Sequence, residues 1–142
     1  MTATGPTAST IAVGDDIPEL ITVPTTTQLF MFSAVTWNRH RIHYDPEFAR
    51  SQGLRDVAIH RGLIGNLLAR VLTRWLGDAG IVRQVEWTVR GSAEVGQPLR
   101  LAGKVRGKRS DGGRTLIDCD VWAEDHEGRV VAPGTAVVEL RS

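Results

Sequence analysis

Between two glycine-flanked ends, residues 62–76 place Leu63, Ile64, Leu67, Leu68, Ala69, Val71, Leu72, Trp75 and Leu76 around most of a helical wheel. A helix apolar on more than one side has to be enclosed by other elements of the fold. Gly77 and Gly80 stop it, and beyond them the chain switches to a period of two. Val85, Trp87 and Val89 oppose Glu86, Thr88 and Arg90. Leu99, Leu101, Gly103 and Val105 oppose Arg100, Lys104 and Arg106. Ile117, Cys119, Val121 and Ala123 oppose Asp118, Asp120 and Glu124. Each run is a strand with one apolar face. The turn sequences Gly96-Gln97-Pro98, Ser110-Asp111-Gly112-Gly113 and His126-Glu127-Gly128 read as hairpin signals, which predicts a long antiparallel meander. Pro133-Gly134 predicts a bend or bulge in the last strand.

One buried helix and one single-faced sheet combine most economically when the sheet curls around the helix. That is an α+β hotdog fold, a curved antiparallel sheet wrapped around a central buried α-helix. At 142 residues the chain is one domain. Residues 1–10, rich in Thr, Ala, Ser, Gly and Pro, are expected to be a disordered tail, and residues 11–142 the domain. Within it, residues 14–18 read as a turn, 19–23 as a short strand, and Thr27 as the cap of a helix through Val35. A short exposed helix comes next, with Asp45 at the cap, Pro46 at the first helical position, Glu47 in the first turn and Gly53 past the end. A sheet edge and part of the helix are left to cover, which argues for a dimer at minimum.

Charge and cysteine usage narrow the function classes. A net charge of +1 with both signs interspersed gives no bulk attraction to nucleic acid. Cys119 has no second cysteine to pair with, and the N-terminus lacks a basic start followed by an apolar run, so a cytoplasmic protein is expected. No apolar stretch approaches the ~20 residues of a spanning helix.

Most of the chemistry lies in residues 32–45, F-S-A-V-T-W-N-R-H-R-I-H-Y-D. Asn38, His40 and His43 bring an amide and imidazoles together with no acid between them, a set suited to moving protons to and from a carbon acid. His40 and His43 form an H-x-x-H pair, but no nearby Cys or Glu completes a zinc set, so no metal is expected.

With His60-Arg61-Gly62-Leu63 at the head of the buried helix, this segment resembles the MaoC-like hydratase and dehydratase family. The family motif is F-x-x-L-S-G-D-x-N-P-x-H-x-D, with H-G-M or H-G-P downstream. Phe32, Val35, Thr36, His43, Asp45 and His60 fall into its register. Asn38 stands where the family has its catalytic Asp, and Arg61 where it has the glycine after the histidine. The string N-R-H-R-I-H-Y-D is similar to the branch containing mitochondrial 3-hydroxyacyl-thioester dehydratase and mesaconyl-CoA hydratase. The likeness runs over roughly residues 27–105. It implies a hotdog fold and reversible addition of water to, or its removal from, an acyl thioester. Coenzyme A or phosphopantetheine would arrive as part of the substrate, with no other cofactor. The partner would be a copy of this chain or a second MaoC-like hotdog chain.

In such a reaction His43 is the expected general acid/base, because an unperturbed imidazole changes charge near neutral pH. Asn38 cannot act as a base, and its amide is expected to hold the water against His43. Backbone N–H groups near Arg61 and Gly62, at the positive end of the helix dipole, are the expected donors to the thioester oxygen. His60 and His40 complete the substrate-binding set, with Trp37 expected to line an acyl tunnel. Arg39 and Arg41 are candidates for carrier phosphates, while Cys119, on an apolar strand face, should be inert. Two other readings stay open: a non-catalytic hotdog subunit that completes a partner's site, and a hotdog thioesterase, which needs a carboxylate or an equivalently activated water near the helix.

Overall fold

A computed structural model describes residues 5–141. Five strands form one sheet: β1 (Asp16–Thr22), β2 (Gly80–Trp87), β3 (Leu99–Asp111), β4 (Arg114–Glu124) and β5 (Val130–Leu140). Three helices lie between β1 and β2: α1 (Thr26–Thr36), α2 (Pro46–Ser51) and α3 (Arg61–Leu76). The sheet is antiparallel throughout, in the order β1-β3-β4-β5-β2. It curves around α3, which packs against all five strands. This is the expected α+β hotdog architecture.

The core arises from the two periodicities. Leu63, Ile64, Leu67, Leu68, Val71, Leu72 and Leu76 of α3 are buried. Facing them are Leu101 and Val105 of β3, Ile117, Cys119, Val121 and Ala123 of β4, and Ala136, Val138 and Leu140 of β5, at every second position. Burial of the Cys119 thiol, helped by Asp118 and Asp120, pushes its pKa up to about 12, as an inert core position requires.

The strand pairing corrects one expectation. Only β3, β4 and β5 form a meander. β2 leaves α3 through a single 3-10 turn, Gly77–Ala79, and pairs with β5, from Gly80 opposite Leu140 to Trp87 opposite Gly134. The Gly96-Gln97-Pro98 turn therefore belongs to a crossover, not to a hairpin. Its Gly96 N–H donates to Pro24 O (2.7 Å), and Gly96 takes a positive φ of 79°. Local turn chemistry is the same in either connection, so the residues alone do not separate them.

Smaller differences have equally local causes. β1 starts at Asp16 rather than 19, and its register shift between Ile17 and Leu20 accommodates Pro18 on an edge strand. Thr25, not Thr27, caps α1, its side chain accepting from Gln28 N at 3.1 Å. β2 begins at Gly80, five residues before the alternation becomes visible. Pro133 and Gly134 pair regularly with Trp122 and Val121, and the irregularity of that ladder falls at Ala123/Glu124 instead. What Gly134 supplies is closeness: a Cβ there would meet Glu86 O at 2.3 Å.

Part of the expected tail, residues 1–4, lies outside the described residues. Residues 5–10 include a turn in which Thr10 N donates to Thr7 O (3.2 Å), Ala8 O accepts from Lys108 Nζ, and Ile11 is buried. Among the described residues no helix is long and apolar enough to cross a membrane.

Candidate active site

The segment after α1 is shaped by a chain of side-chain caps. α1 ends at Trp37, whose φ of 57° and ψ of 30° lie in the left-handed region, making it the one non-glycine with positive φ among the described residues. Asn38 N then donates back to Ser33 O at 2.9 Å. Asn38 Oδ1 accepts from His40 N (3.1 Å), and His40 Nδ1 accepts from Ile42 N (3.3 Å), which starts the 3-10 turn Arg41–His43. Asp45 receives Arg41 through Nε (3.0 Å) and a terminal nitrogen (2.6 Å), and caps α2 by accepting from Phe48 N at 3.0 Å. These bonds hold the Asp45 carboxyl below the usual carboxylate range. Ala58 N donates to Ile42 O at 2.8 Å, tying the turn to the stretch before α3. His43 is thereby held inward, with 8% of its surface exposed.

His43 has a fixed proton arrangement. Its Nδ1 lies 2.7 Å from Ala58 O, and a carbonyl can only accept, so the neutral ring carries its proton on Nδ1. Nε2 is left with a free lone pair on the wall of a cleft of about 710 Å3. The ring stacks on His60 with centroids 3.8 Å apart and an interplanar angle of 16°. His60 is 1% exposed, pairs through Nε2 with Ser33 Oγ at 2.7 Å, and packs against Phe32. Its Nδ1 is the one buried side-chain polar atom without a partner among the described residues.

Burial drives both imidazoles toward the neutral form. Desolvation, reinforced by His43, lowers His60 to about 4. The His43 pKa is also lowered, mainly by desolvation and further by His40, against the raising effect of the Ala58 carbonyl. At neutral pH the stack holds no charge, and His43 is available as a base.

His60 is also the cap residue of α3, but its side chain makes no capping bond. The first intrahelical donor is Ile64 N, to His60 O at 3.1 Å. The amides of Arg61, Gly62 and Leu63 have no acceptor among the described residues, as a first helical turn without a side-chain cap requires. Gly62 faces Phe32, where a Cβ would come within 3.4 Å of the ring. Free N–H groups at a positive helix end beside an unprotonated imidazole can accept developing negative charge while a proton is moved.

Of the residues singled out by sequence, Asn38, His43, His60, Arg61 and Gly62 line the cleft. Trp37 and His40 do not. Trp37 is 75% exposed, 5.7 Å from the Arg39 guanidinium, because the reversal that ends α1 turns it outward. His40 spends Nδ1 on capping the 3-10 turn, with its ring 6.2 Å from that of His43. Sequence reasoning missed Ser33, 27 residues from its partner His60, and the Ala58 carbonyl. Ser33 carries one faint signal, a small polar residue on the only side of α1 that faces the core. The backbone acceptor carries none. Among the described residues no group of three or more His, Cys, Asp or Glu is placed to hold a metal.

Comparison with known proteins places these features in context. Residues 7–90 match the family model for hydroxyacyl-thioester dehydratase type 2. A mesaconyl-C(4)-CoA hydratase of Chloroflexus aurantiacus is 45% identical over 47 residues, which are 32% of this chain and 17% of that protein. Among solved structures, the (R)-hydratase from A. caviae involved in PHA biosynthesis superimposes with a TM-score of 0.86 at 21% identity, over 94% of this chain and 100% of that one. The MaoC-like dehydratase from Rhodospirillum rubrum gives 0.84 at 20% identity (96% and 97%). A chain of the ChsH1-ChsH2 complex from Mycobacterium tuberculosis gives 0.80 at 22% identity (92% and 98%). At these identities the structural likenesses establish the hotdog fold.

The neutral stack has a consequence for stability. An unfolded histidine gains its proton near pH 6.5, whereas folded His60 resists until about 4. The stability contributed by keeping it neutral is therefore complete above pH 6.5 and lost as pH falls toward 4, by at most about 3 kcal/mol. The urea midpoint should fall between pH 7 and pH 4.5, and fall less in His60→Gln, which keeps a polar partner for Ser33 without titrating. Equal falls in the two proteins would show that His60 is not the group responsible.

Proposed function

Since the chain belongs to the hydroxyacyl-thioester dehydratase type 2 family, within the MaoC-like hotdog hydratases and dehydratases, we propose that it is a hydro-lyase acting on 2-enoyl and 3-hydroxyacyl thioesters of coenzyme A or an acyl carrier protein. The observation that carries this reading is the pairing of an unprotonated His43 Nε2 with the free amides at the head of α3 across one cleft. In hydration, Nε2 takes a proton from water as the water oxygen bonds to C3. The double-bond electrons move toward the thioester, whose oxygen gains enolate-like charge and is met by the Arg61 and Gly62 N–H groups. The imidazolium then delivers a proton to C2, and dehydration runs these steps backwards. The CoA or phosphopantetheine arm belongs to the substrate, and no separate cofactor is invoked.

Asn38 fits the water-holding role. Its Oδ1 already accepts from His40 N, which fixes the amide plane and leaves Nδ2 to donate to the water oxygen. With no carboxylate there, His43 performs both transfers. Arg41 is engaged by Asp45, so Arg39, which has no ion pair among the described residues, is the better placed of the two for a carrier phosphate. The cleft lining includes no Asp or Glu among the described residues, which disfavours a thioesterase.

For association, two surfaces are available. β2 is an edge strand with an unpaired side, and α1 carries no charged residue while exposing Phe30, Met31 and Val35. The partner is a copy of this chain or a second MaoC-like chain, and the ChsH1-ChsH2 complex contains a chain of similar fold. Asn38 in place of the family's Asp favours one second reading, a non-catalytic subunit beside an active partner.

Incubation with crotonyl-CoA, following enoyl absorbance and free thiol together, separates the readings. A hydratase consumes the enoyl group without thiol release, a thioesterase releases thiol, and a non-catalytic subunit does neither alone. Asn38→Ala should lower kcat about tenfold or more with KM within a few-fold. Asn38→Asp should stay active and add an ionisation to the pH profile. An Asn38→Ala variant equal to wild type would refute the water-holding role. Sedimentation at micromolar concentration should show a dimer or larger species, and a single monomeric species would contradict the association.

A further inference from the structure

Arg61 lines the cleft at the head of α3. Its guanidinium turns onto the end of β2, where Arg61 and Trp87 form a reciprocal clamp. An Arg61 terminal nitrogen donates to Trp87 O (3.1 Å), Trp87 Nε1–H donates to Arg61 O (3.0 Å), and the guanidinium lies 5.3 Å from the indole centroid. Gly65, one helical turn on, makes room for the ring: a Cβ there would fall 2.2 Å from Trp87 Cζ2. Trp87 is itself fixed by the sheet, opposite Gly134 of β5, with Thr88 N donating to Pro133 O at 3.0 Å.

Arg61 O belongs to the same peptide unit as the Gly62 N–H. Because that unit is planar and trans, anchoring its oxygen fixes the direction of its N–H, which points the opposite way. A hydrogen bond into the carbonyl also polarises the amide and strengthens the N–H as a donor. Held only by the helix, this first-turn peptide would be free to tilt, since its own N–H has no partner. We propose that Trp87 is a positioning residue that aims the Gly62 amide at the thioester oxygen, through the Arg61 carbonyl and with the Arg61 guanidinium as the second arm of the clamp. The sheet edge thus sets the geometry of the donor. This rests on the hydro-lyase reading for its catalytic consequence, while its geometric core concerns the Gly62 amide alone.

Trp87→Phe tests it, since phenylalanine keeps a ring against Gly65 and under the guanidinium but removes the indole N–H. Trp122→Phe is the control. Trp122 pairs with Pro133 across β4 and β5 and bonds Glu124 through its indole N–H, but makes no hydrogen bond to Arg61 or Gly62. In Trp87→Phe, kcat for crotonyl-CoA hydration should fall about tenfold with KM within twofold. The acid limb of the pH profile, set by His43, should not move, and the melting temperature should stay close to that of wild type. The Gly62 amide cross-peak in a 1H–15N spectrum should shift in Trp87→Phe and not in Trp122→Phe. A Gly62 resonance unchanged by Trp87→Phe would overturn the proposal whatever the activity. So would an unchanged kcat accompanied only by a lower melting temperature, which describes a structural tryptophan. If wild type has no hydratase activity, the hydro-lyase reading fails separately and the Gly62 resonance still decides the geometry.

Discussion

A helix enclosed by a sheet still ends in amides that its own hydrogen-bond ladder cannot satisfy, and the rest of this molecule is arranged around that constraint. One face of α3 is buried along the helix while Asn66, Arg70, Thr73 and Arg74 stay exposed on the other, and its uncapped first turn must meet water or a ligand to avoid a desolvation cost. The chain leaves a cleft there, walls it with the segment after α1, and puts no side-chain cap on the helix. His60, the residue that would normally supply a cap, instead pairs with Ser33 and lies flat against His43. The uncapped helix end and the stacked imidazoles are therefore two sides of one packing solution.

Charge in the cleft is governed by the same enclosure. Desolvation pushes both stacked rings toward neutrality, and each ring's charge disfavours protonation of the other. An aspartate at position 38 would pull the other way, favouring the protonated imidazole, whereas asparagine leaves no countercharge. Asparagine there thus agrees with a neutral imidazole at His43. The Ala58 carbonyl then decides which nitrogen keeps its lone pair, by holding the proton on Nδ1.

Legibility in the sequence tracked the range of each interaction. α3, the Asp45 cap with Pro46, and the strand faces of β3 and β4 are set by residues a few positions apart, and were readable as such. The partner of β2 was not, because a strand's own alternation does not say which neighbour it meets, and the Gly96 turn serves a crossover as well as a hairpin. At the cleft, His43, Asn38, His60 and Gly62, singled out by their chemistry and the resemblance of their motif, line its wall together. Trp37 and His40 lie outside the cleft lining, because one left-handed residue turns Trp37 outward and one capping bond occupies His40 Nδ1. Ser33 and the Arg61–Trp87 clamp depend on pairs 26 or 27 residues apart, which only the fold brings together.

In the proposed mechanism one buried histidine performs the proton transfers at the mouth of the helix. The direct measurement is kcat/KM for crotonyl-CoA hydration in wild type and His43→Ala, with circular dichroism to establish that both are folded. A loss of at least about 100-fold in a folded variant is expected for a removed general acid/base. Activity within a few-fold of wild type would contradict the account.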